Sequence, residues 1–330
     1  MKNDILSLLA CPNCRGALHL ASTFIMGSQR DIKEGELICW SCESRYPVVR
    51  YIPRFVSHDN YASSFGFQWN RHARTQLDSF SGTTVSWDRF FRVTNWPERM
   101  DGQIILEAGC GAGRFTEVAL KTGATVFSFD YSNSVDANLD NNGPSKTLHI
   151  VQADIYHIPF QEKSFDKIFC FGVLQHCPDV KGAFFSLLPY LKKGGEIVID
   201  VYQRSPWIYL RDAKYWLRPI TKRLPPELLY RLLQSIVPTL LPIKIWIKRL
   251  PNIGWFLTGY IPVSNYKGKY PLSSAQLLEW SILDTFDMLS PQFDQPQRIK
   301  DVKGWFDDAG LDNVWVGYGP NGINGRGTRP

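Results

Sequence analysis

The sequence predicts an α/β protein built on a doubly wound, mostly parallel sheet of seven strands. A small cysteine-bearing unit precedes the sheet, and a mainly helical insert interrupts it. Three observations support this architecture: two closely spaced cysteine pairs near the N-terminus, short apolar runs that alternate with helical stretches from residue 101, and a basic, tryptophan-rich segment at 203–297. Strands that alternate with helices, each bounded by Gly, Asp or Pro, are typical of parallel sheets.

Four of the seven cysteines form two C-x-x-C pairs near the N-terminus. Cys11 and Cys14 form the first pair, Cys39 and Cys42 the second, and 24 residues separate them. Two such pairs can place four thiolates at the corners of a tetrahedron, which is the geometry that Zn²⁺ accepts. Since all four ligands would come from the protein, we expect this zinc to be structural. We therefore predict a zinc-ribbon domain over residues 1–57.

The apolar runs that follow predict the strands of the sheet. After a helical lead-in at 58–100, strands are expected at 103–106, 125–129, 148–152, 165–171, 196–202, 312–318 and 322–329. The sheet domain thus comprises residues 101–202 and 298–330. The insert at 203–297 leaves the sheet where the fifth strand ends. Because ligands of open α/β sheets bind at the carboxyl ends of the strands, we expect the insert to act as a substrate lid.

A glycine-rich turn, Glu107-Ala108-Gly109-Cys110-Gly111-Ala112-Gly113, joins the first strand to the next helix. Glycines let the backbone approach a ligand closely, and the N-terminus of the helix offers unpaired N–H groups. Dinucleotide-binding folds use a similar turn with G-x-G-x-x-G spacing, so an NAD-dependent dehydrogenase is one alternative. Here the spacing is G-x-G-x-G. The carboxyl of Glu107 favours a ligand with an amino group over a pyrophosphate.

Two further carboxylates follow strands of the predicted sheet. Asp130 ends the second strand, 17 residues after Gly113, where it could accept hydrogen bonds from two ribose hydroxyls. Asp154 follows the third strand and precedes Ile155, and this pair offers an adenine ring a hydrogen-bond acceptor and an apolar wall. The segment from Phe171 to His176 and the later Leu191-Lys192-Lys193-Gly194-Gly195 complete an ordered series of motifs.

This series resembles the class I S-adenosylmethionine-dependent methyltransferases, in the broad type 11-like subgroup with L-D/E-x-G-C-G-x-G and L-x-P-G-G motifs. The resemblance covers roughly residues 100–202 and 300–330, and Lys193 stands where the subgroup has Pro. It implies a Rossmann-like methyltransferase fold and S-adenosylmethionine as the methyl donor. The cofactor-binding residues that it implies are Glu107, Gly109, Cys110, Gly111, Gly113, Asp130, Tyr131, Asp154, Ile155 and Phe171.

The N-terminal unit carries a resemblance of its own. Residues 1–56, with Tyr46-Pro47-Val48-Val49 and Ile52-Pro53 after the second cysteine pair, resemble the zinc-ribbon fold of a small protein that partners several methyltransferases. That partner acts on enzymes that modify translation components. A zinc ribbon also precedes the methyltransferase domain in a family of rRNA guanine methyltransferases. Such ribbons recur with unrelated roles, so the resemblance does not identify the acceptor.

Two residues are candidates for proton transfer. A hydroxyl or amine acceptor needs a base that works near neutral pH. His176 follows the fourth strand, where acceptors approach, and is the first candidate; by the resemblance it also lines the methyl-donor edge. Tyr202, at the end of the fifth strand, is the weaker candidate. A histidine held by a backbone contact and a tyrosine that only packs are the structural alternatives.

The composition of the insert suggests three kinds of partner. Residues 203–297 carry 12 Lys and Arg against 6 Asp and Glu, together with five Trp and eleven of the 21 Pro. A small-molecule acceptor, including a lipid-linked or glycosidic metabolite, fits a pocket shaped by these side chains. An rRNA or tRNA methyltransferase is the alternative, although the net charge is modest for an RNA-binding face. Protein acceptors, and a non-catalytic interaction module on the same fold, complete the possibilities.

The expected location is the cytoplasm, with peripheral contact to a membrane through 203–297 as an additional possibility. Only ten residues precede Cys11 and Asp4 lies among them, whereas a secretory signal needs a basic start and an apolar core of about 7–15 residues. Reduced cysteines that bind zinc are also usual in that compartment. We further expect no transmembrane helix, because no apolar run approaches the roughly 20 residues that a span requires.

Overall fold

The computed structural model describes residues 1–21, 25–26, 31–57 and 60–330, apart from the side chains of Asn3 and Asp4. The predicted boundary between the ribbon and the lead-in includes residue 58, which lies outside the described residues. Short 3₁₀ turns are found at Asn3–Leu8, Leu174–His176, Leu188–Tyr190 and Thr258–Tyr260.

The N-terminal unit is a small antiparallel sheet. Its strands are β1 (Leu18–Leu20), β2 (Ile25–Met26), β3 (Ile32–Cys39), β4 (Arg45–Val49) and β5 (Ile52–Pro53). β3 pairs with β1, β2 and β4, and β4 pairs with β5. One cysteine pair lies in the turn before β1 and the other at the end of β3, so the pairs meet at the same end of this sheet.

The main sheet has seven strands, which confirms the predicted fold class. They are β6 (Ile104–Ala108), β7 (Thr125–Asp130), β8 (Leu148–Gln152), β9 (Phe165–Phe171), β10 (Leu191–Val201), β11 (Asp312–Gly319) and β12 (Gly322–Thr328). Their order is β11-β12-β10-β9-β6-β7-β8. The five strands from β10 to β8 run parallel, whereas β11 and β12 form an antiparallel hairpin beside β10. The carboxyl ends of the parallel strands therefore share one edge.

Helices cover both faces of the main sheet. The helices are α1 (Ser63–Arg71), α2 (Asp78–Ser81), α3 (Val85–Thr94), α4 (Arg114–Lys121), α5 (Val135–Asn142), α6 (Val180–Leu187), α7 (Ile208–Arg211), α8 (Lys214–Thr221), α9 (Pro226–Ile247), α10 (Gly254–Leu257), α11 (Ser274–Leu289) and α12 (Ile299–Asp308). Phe90 of α3 and Val118 of α4 belong to the apolar core on one face. Phe184 of α6 and Phe306 of α12 belong to the core on the other face, which also includes the ribbon.

The ribbon covers the β8 edge of the main sheet. The backbone N–H of Phe55 donates to the carbonyl of Gln152 at 2.8 Å, and Arg54 forms a parallel bridge with Gln152. The guanidinium of Arg54 also pairs with Asp136 of α5 at 2.8 Å. An uncovered edge strand offers its backbone groups to other chains. The ribbon satisfies part of this edge and joins its core to that of the sheet.

The insert begins where β10 ends and is mainly helical, as predicted. Its own apolar core lies between α9 and α11, with Leu229, Leu233 and Val237 of α9 buried against Phe286 and Leu289 of α11. Burial of a large apolar side chain stabilises a fold by about 1.5–3 kcal/mol, so this pair of helices has a substantial core of its own.

The length of α9 corrects one expectation from the sequence. α9 has 22 residues and, by length and composition only, is long and apolar enough to cross a membrane. Pro238 and Pro242 lie inside it without ending it. Prolines usually interrupt helices, which is why the sequence did not predict this continuous apolar helix. Only 28% of its most apolar stretch is buried inside the protein.

Candidate active site

The glycine turn lies at the carboxyl end of β6 and lines a cavity of about 400 Å³. Gly109 and Gly111 have φ angles of +80° and +52°, which glycine adopts more readily than other residues. A Cβ atom on Gly109 would lie 2.2 Å from a methyl group of Val173, so no larger residue fits there. At Gly111 the nearest neighbour is the indole of Trp69, at 3.3 Å. The turn thus exposes bare backbone to the cavity.

Asp130 lies beside this turn at the end of β7. One carboxylate oxygen accepts from the backbone N–H of Gly111 at 3.0 Å, and the other accepts from the N–H and hydroxyl of Ser132 at 2.8 and 2.7 Å. Burial raises the pKa of Asp130, while these hydrogen bonds oppose the rise. The carboxylate is therefore held in place at the cavity wall, where it can accept from ligand hydroxyls.

Seven of the ten predicted cofactor-binding residues line the cavity. They are Gly109, Cys110, Gly111, Asp130, Tyr131, Ile155 and Phe171. Ile155 and Phe171 provide apolar walls, and the ring of Tyr131 lies 4.7 Å from that of Tyr61 in the lead-in. Tyr61 also lines the cavity, although sequence reasoning did not select it.

The other three predicted residues, Glu107, Gly113 and Asp154, do not line the cavity. Glu107 is buried beneath the turn and accepts hydrogen bonds from the hydroxyls of Thr116 and Ser128. Burial raises the pKa of Glu107 to about 7. A Cβ on Gly113 would lie 2.2 Å from the side chains of Asn138 and Asn142, so this glycine is required for packing against α5.

Asp154 caps its own loop rather than facing the cavity. Its carboxylate accepts from the backbone N–H of Tyr156 at 3.0 Å and lies 3.4 Å from Nδ1 of His157. The contact of Asp154 with an adenine ring therefore stays a prediction, as do the cofactor contacts of Glu107 and Gly113. The neighbouring Ile155 is the part of this segment that reaches the cavity.

Two half-buried arginines form a second wall of the cavity. Arg89 of α3 pairs with the fully buried Asp200 of β10 at 2.5 Å. Asp200 also accepts from the backbone N–H of Gly172 at 2.6 Å. Arg114 donates to the hydroxyl of Ser86 at 2.7 Å, and burial lowers the pKa of Arg114 to about 10. Together these residues place positive charge beside the glycine turn.

Both candidate bases line the cavity. Nδ1 of His176 lies 2.9 Å from the carbonyl oxygen of Phe293, in the segment that leads from the insert back to the sheet. A carbonyl only accepts, so Nδ1 carries the proton and Nε2 is the basic nitrogen of the neutral ring. The His176 ring lies edge-on to Tyr202, with centroids 5.5 Å apart. Burial raises the pKa of Tyr202 well above its usual value, which disfavours the phenolate.

The far wall of the cavity comes from the insert. Asp284 and Asp287 lie one turn apart on α11 and line the cavity together with Tyr266. Asp284 accepts from the amide of Gln76 at 3.1 Å and from the hydroxyl of Tyr266. Burial, with the charge of Asp287 as the second cause, raises the pKa of Asp284 to about 6.

Sequence reasoning missed these two carboxylates. Their i, i+3 spacing within an apolar helical pattern was a usable signal, because it places both on one helix face. This spacing did not indicate which face of the insert would lie opposite the glycine-rich loop after β6. Lys214 of α8 also lines this wall and pairs with Asp294 at 3.0 Å.

The residues present fit S-adenosylmethionine. Gly109 and Gly111 form a backbone cradle at the cavity wall, where they have no side chain to compete with a ligand. Asp130 is positioned for ribose hydroxyls, and Ile155 and Phe171 offer apolar walls for a ring. A cavity of about 400 Å³ lies within the range of sites for small ligands.

The four N-terminal cysteines fit a zinc ion. Their sulfur atoms lie within 4.8 Å of one another, with 3.6 Å between Cys11 and Cys42 and 3.4 Å between Cys14 and Cys39. A tetrahedral site with Zn–S bonds of about 2.3 Å has sulfur–sulfur distances of about 3.8 Å. The set is therefore nearly preformed. Four thiolates fill the coordination of zinc and leave no position for a substrate, so this centre is structural.

Comparison with known proteins agrees with this geometry. Residues 106–199 match the family described as methyltransferase domain, and residues 2–50 match the family described as Trm112p-like protein. Sterol 24-C-methyltransferase of Pneumocystis carinii is 29% identical over 115 residues, covering 33% of this chain and 29% of that protein. The tRNA U34 carboxymethyltransferase of Nautilia profundicola is 27% identical over 155 residues, covering 46% and 47%.

A solved S-adenosylmethionine-dependent methyltransferase from Mesorhizobium loti is 27% identical to this chain with a TM-score of 0.33, and the match covers 39% of this chain and 57% of that one. The chain spans less than half the length of the two curated relatives. The matched segment includes the glycine turn, Asp130 and Asp154, which are the residues that carry the resemblance. Residues 106–199 thus form a class I S-adenosylmethionine-dependent methyltransferase domain, and residues 2–50 before it form a Trm112p-like domain of the zinc-ribbon type.

Proposed function

We propose that this chain transfers the methyl group of S-adenosylmethionine to a hydroxyl or amine of a small or lipid-linked polar acceptor. One observation carries the proposal: a single cavity runs from the glycine turn to the carboxylates of α11. At one end of this cavity the backbone at Gly109 and Gly111 would bind the donor. The far end, lined by Tyr202, Tyr266, Asp284 and Asp287, is left for the acceptor.

The chemistry divides between the donor and the residues of this chain. When bound, S-adenosylmethionine supplies a methyl group that is already activated by a sulfonium. The protein then has to align the acceptor, exclude water and remove a proton. Asp130 and the backbone at Gly109 hold the donor end, and α1 with the insert encloses the cavity.

His176 is the residue that we propose as the base. Because Nδ1 donates to the carbonyl of Phe293, the lone pair of Nε2 is available for the proton of the acceptor. Phe65 lies edge-on to the imidazole at 5.0 Å, which restricts its rotation. The ring of Tyr202 packs against His176, and its hydroxyl donates to the carboxylate of Asp287 at 3.4 Å. Tyr202 itself is assigned a positioning role.

The α11 carboxylates define what kind of acceptor the far end suits. Two carboxylates bind hydroxyls or a cationic amine, whereas they repel a phosphate. An RNA acceptor would bring phosphates towards this wall, so we place RNA second. The Trm112p-like segment and the tRNA-modifying relative keep RNA as the alternative. The relatives themselves act on acceptors as different as a sterol and a tRNA, and so they do not select one.

The proposal is tested in two steps. First, calorimetric titration should detect S-adenosylmethionine binding, which Asp130→Ala weakens at least about tenfold, since two hydrogen bonds to a charged group are lost. The exposed Asp140→Ala is the matched control on α5 and should leave the affinity unchanged. No binding at millimolar concentration would remove the catalytic proposal and favour an interaction module.

Second, transfer of labelled methyl groups to cell extract, fractionated into RNA, protein, lipid and small molecules, identifies the acceptor class. Label in the lipid or small-molecule fraction supports the proposal, and label confined to RNA overturns the acceptor assignment. His176→Gln should reduce the rate about 10²- to 10⁴-fold with unchanged affinity for S-adenosylmethionine. An unchanged rate would exclude His176 as the base.

A further inference from the structure

The exposed apolar side chains of this protein are concentrated in the insert. Of the 23 large apolar side chains that are exposed in the described part of the chain, 15 lie between Trp207 and Tyr260. Isolated exposed apolar residues are common on soluble proteins, but a contiguous set marks a site of interaction. Two parts of this set, on α9 and around α10, are contiguous.

The first part is a stripe along α9. The exposed residues of this stripe are Leu228, Leu232, Ile236, Ile243 and Trp246. At 100° per residue their positions fall within an arc of about 80° on the helix. The neighbouring arc, with Leu229, Leu233 and Val237, is buried against α11. α9 therefore has one apolar face inside the protein and a second one that the rest of the chain leaves exposed.

The second part is a cluster of aromatic rings interleaved with arginine. The guanidinium of Arg211 lies 4.4 Å from the ring of Trp255 and 5.9 Å from that of Phe256. The Phe256 ring contacts Tyr260 at 5.4 Å, and Tyr260 contacts Trp216 at 5.5 Å. Trp216 and Trp255 remain 51% and 61% exposed. α7, α8 and α10 thus present these rings on one continuous surface.

The charge of this region is strongly one-sided. Residues 204–260 contain ten Lys and Arg but only two acidic residues, Asp212 and Glu227. Lys248 and Arg249 follow the exposed end of α9 directly, next to Trp246. Residues 204–260 thus have a net charge of +8, and Arg211, Lys248 and Arg249 lie beside exposed rings of this region.

We propose that the α9 stripe and the ring cluster of α7, α8 and α10 bind the surface of a bilayer that contains anionic lipid. We call these two parts together the interfacial surface. Trp and Tyr prefer the boundary between headgroups and acyl chains, and Lys and Arg bind anionic headgroups beside them. An exposed apolar stripe flanked by cations is the arrangement of helices that lie in the plane of a membrane. Charge complementarity therefore selects an anionic membrane over an apolar protein partner.

The geometry also indicates that α9 lies on the membrane and does not cross it. If α9 crossed the bilayer, α11 would have to enter the bilayer with it, because the two helices share a core, although α11 carries Glu279, Asp284 and Asp287. Removing α9 from that core would expose Phe286 and Leu289 of α11. The interfacial surface can bind headgroups while the fold stays intact.

The interfacial surface lies next to the proposed acceptor end of the cavity. α8 connects the two, because its first residue, Lys214, lines the cavity while Trp216 belongs to the surface. A lipid-linked acceptor could thus enter from the membrane. Membrane binding does not depend on methyl transfer, so it can be tested even if the proposed function fails.

The test is flotation of the full chain with vesicles. With about 30 mol% phosphatidylglycerol in phosphatidylcholine the chain should float, with phosphatidylcholine alone it should bind much less, and about 0.5 M salt should weaken binding. Lys248→Glu with Arg249→Glu should reduce the vesicle affinity about tenfold or more. Trp216→Ser with Trp255→Ser should reduce it even at low salt, because ring insertion does not depend on screening.

Matched controls come from exposed residues outside the insert. Tyr318→Ser, at a position 61% exposed on β11, and Lys300→Glu with Lys303→Glu on α12 should leave vesicle binding unchanged. Far-ultraviolet circular dichroism verifies that every variant is folded. The proposal is overturned if the wild-type chain does not float with anionic vesicles, or if insert and control variants bind alike. Loss of binding to an RNA oligonucleotide in the insert variants, without any vesicle binding, would assign the surface to RNA.

Discussion

Substitution of Glu107 by Gln should make the protein more stable above neutral pH. Glu107 is 2% exposed and lies directly before the glycine turn. Its carboxyl accepts hydrogen bonds from the hydroxyls of Thr116 and Ser128. In the part of the chain that the structure describes, no cationic side chain is hydrogen-bonded to it. Gln has the same shape, and the two hydroxyls can bind its amide. The substitution therefore removes a buried charge without creating a cavity.

The magnitude follows from the pKa of this carboxyl. Burial raises the pKa from 4.5 in the unfolded chain to about 7 in the folded one. Well below pH 4.5 the carboxyl is protonated in both states and imposes no penalty on folding. As the pH rises to 7 the unfolded state loses its proton first, so the free energy of unfolding falls. At 1.36 kcal/mol per unit of pKa, the loss approaches about 3 kcal/mol above pH 7.

Urea unfolding of the wild-type chain and of Glu107→Gln between pH 5 and pH 8 measures this effect. The variant should exceed the wild type by about 1 kcal/mol at pH 5 and by about 3 kcal/mol at pH 8. Glu162→Gln, on the surface, is the control and should change nothing. If the difference in unfolding free energy between the variant and the wild type stays constant from pH 5 to pH 8, the reasoning is refuted. Such a result would mean that the pKa of Glu107 is the same in the folded and unfolded chain.

The remaining predictions concern the donor cradle, the metal and the buried ion pair. Gly109→Ala, with φ at +80° and a Cβ 2.2 Å from Val173, should abolish detectable S-adenosylmethionine binding in calorimetry. Cys39→Ser should reduce zinc content towards zero and lower the melting temperature, measured by metal analysis and calorimetry; full zinc content would contradict the tetrahedral site. Arg89→Met leaves Asp200 charged and buried, so urea unfolding should show a loss of about 3–5 kcal/mol. Equal stability would mean that the ion pair contributes little to the stability of the fold.

Local sequence patterns were enough to predict the sheet and the glycine turn at its edge. Each strand is an apolar run bounded by Gly, Asp or Pro, and the positive φ angles at Gly109 and Gly111 require glycine. Those signals lie within a few residues of the structure that they specify. β10 nevertheless begins at Leu191, five residues before the predicted Glu196, because its first part pairs with β9 across a register shift.

The acceptor half could not be predicted because it depends on contacts between distant segments. Arg89 meets Asp200 across 111 positions of sequence, and Gln76 meets Asp284 across 208. Nothing in the local pattern of the insert says which side of α11 will face β10. The continuity of α9 escaped prediction for a similar reason: packing against α11 supports a helix whose two internal prolines predict a break.

The base of the insert has a consequence for how new specificities could arise. The chain leaves the sheet at Tyr202 and returns at Gln297, and these ends are joined by two backbone hydrogen bonds: Arg204 N–H to Gln297 carbonyl at 2.7 Å, and Gln297 N–H to Tyr202 carbonyl at 2.8 Å. Val201 and Ile323 pair beside this junction whatever lies between. The entropic cost of closing a loop grows only slowly with the length of the loop. Another insert grafted at this junction should therefore leave the sheet folded, and under the proposed function it would change the acceptor.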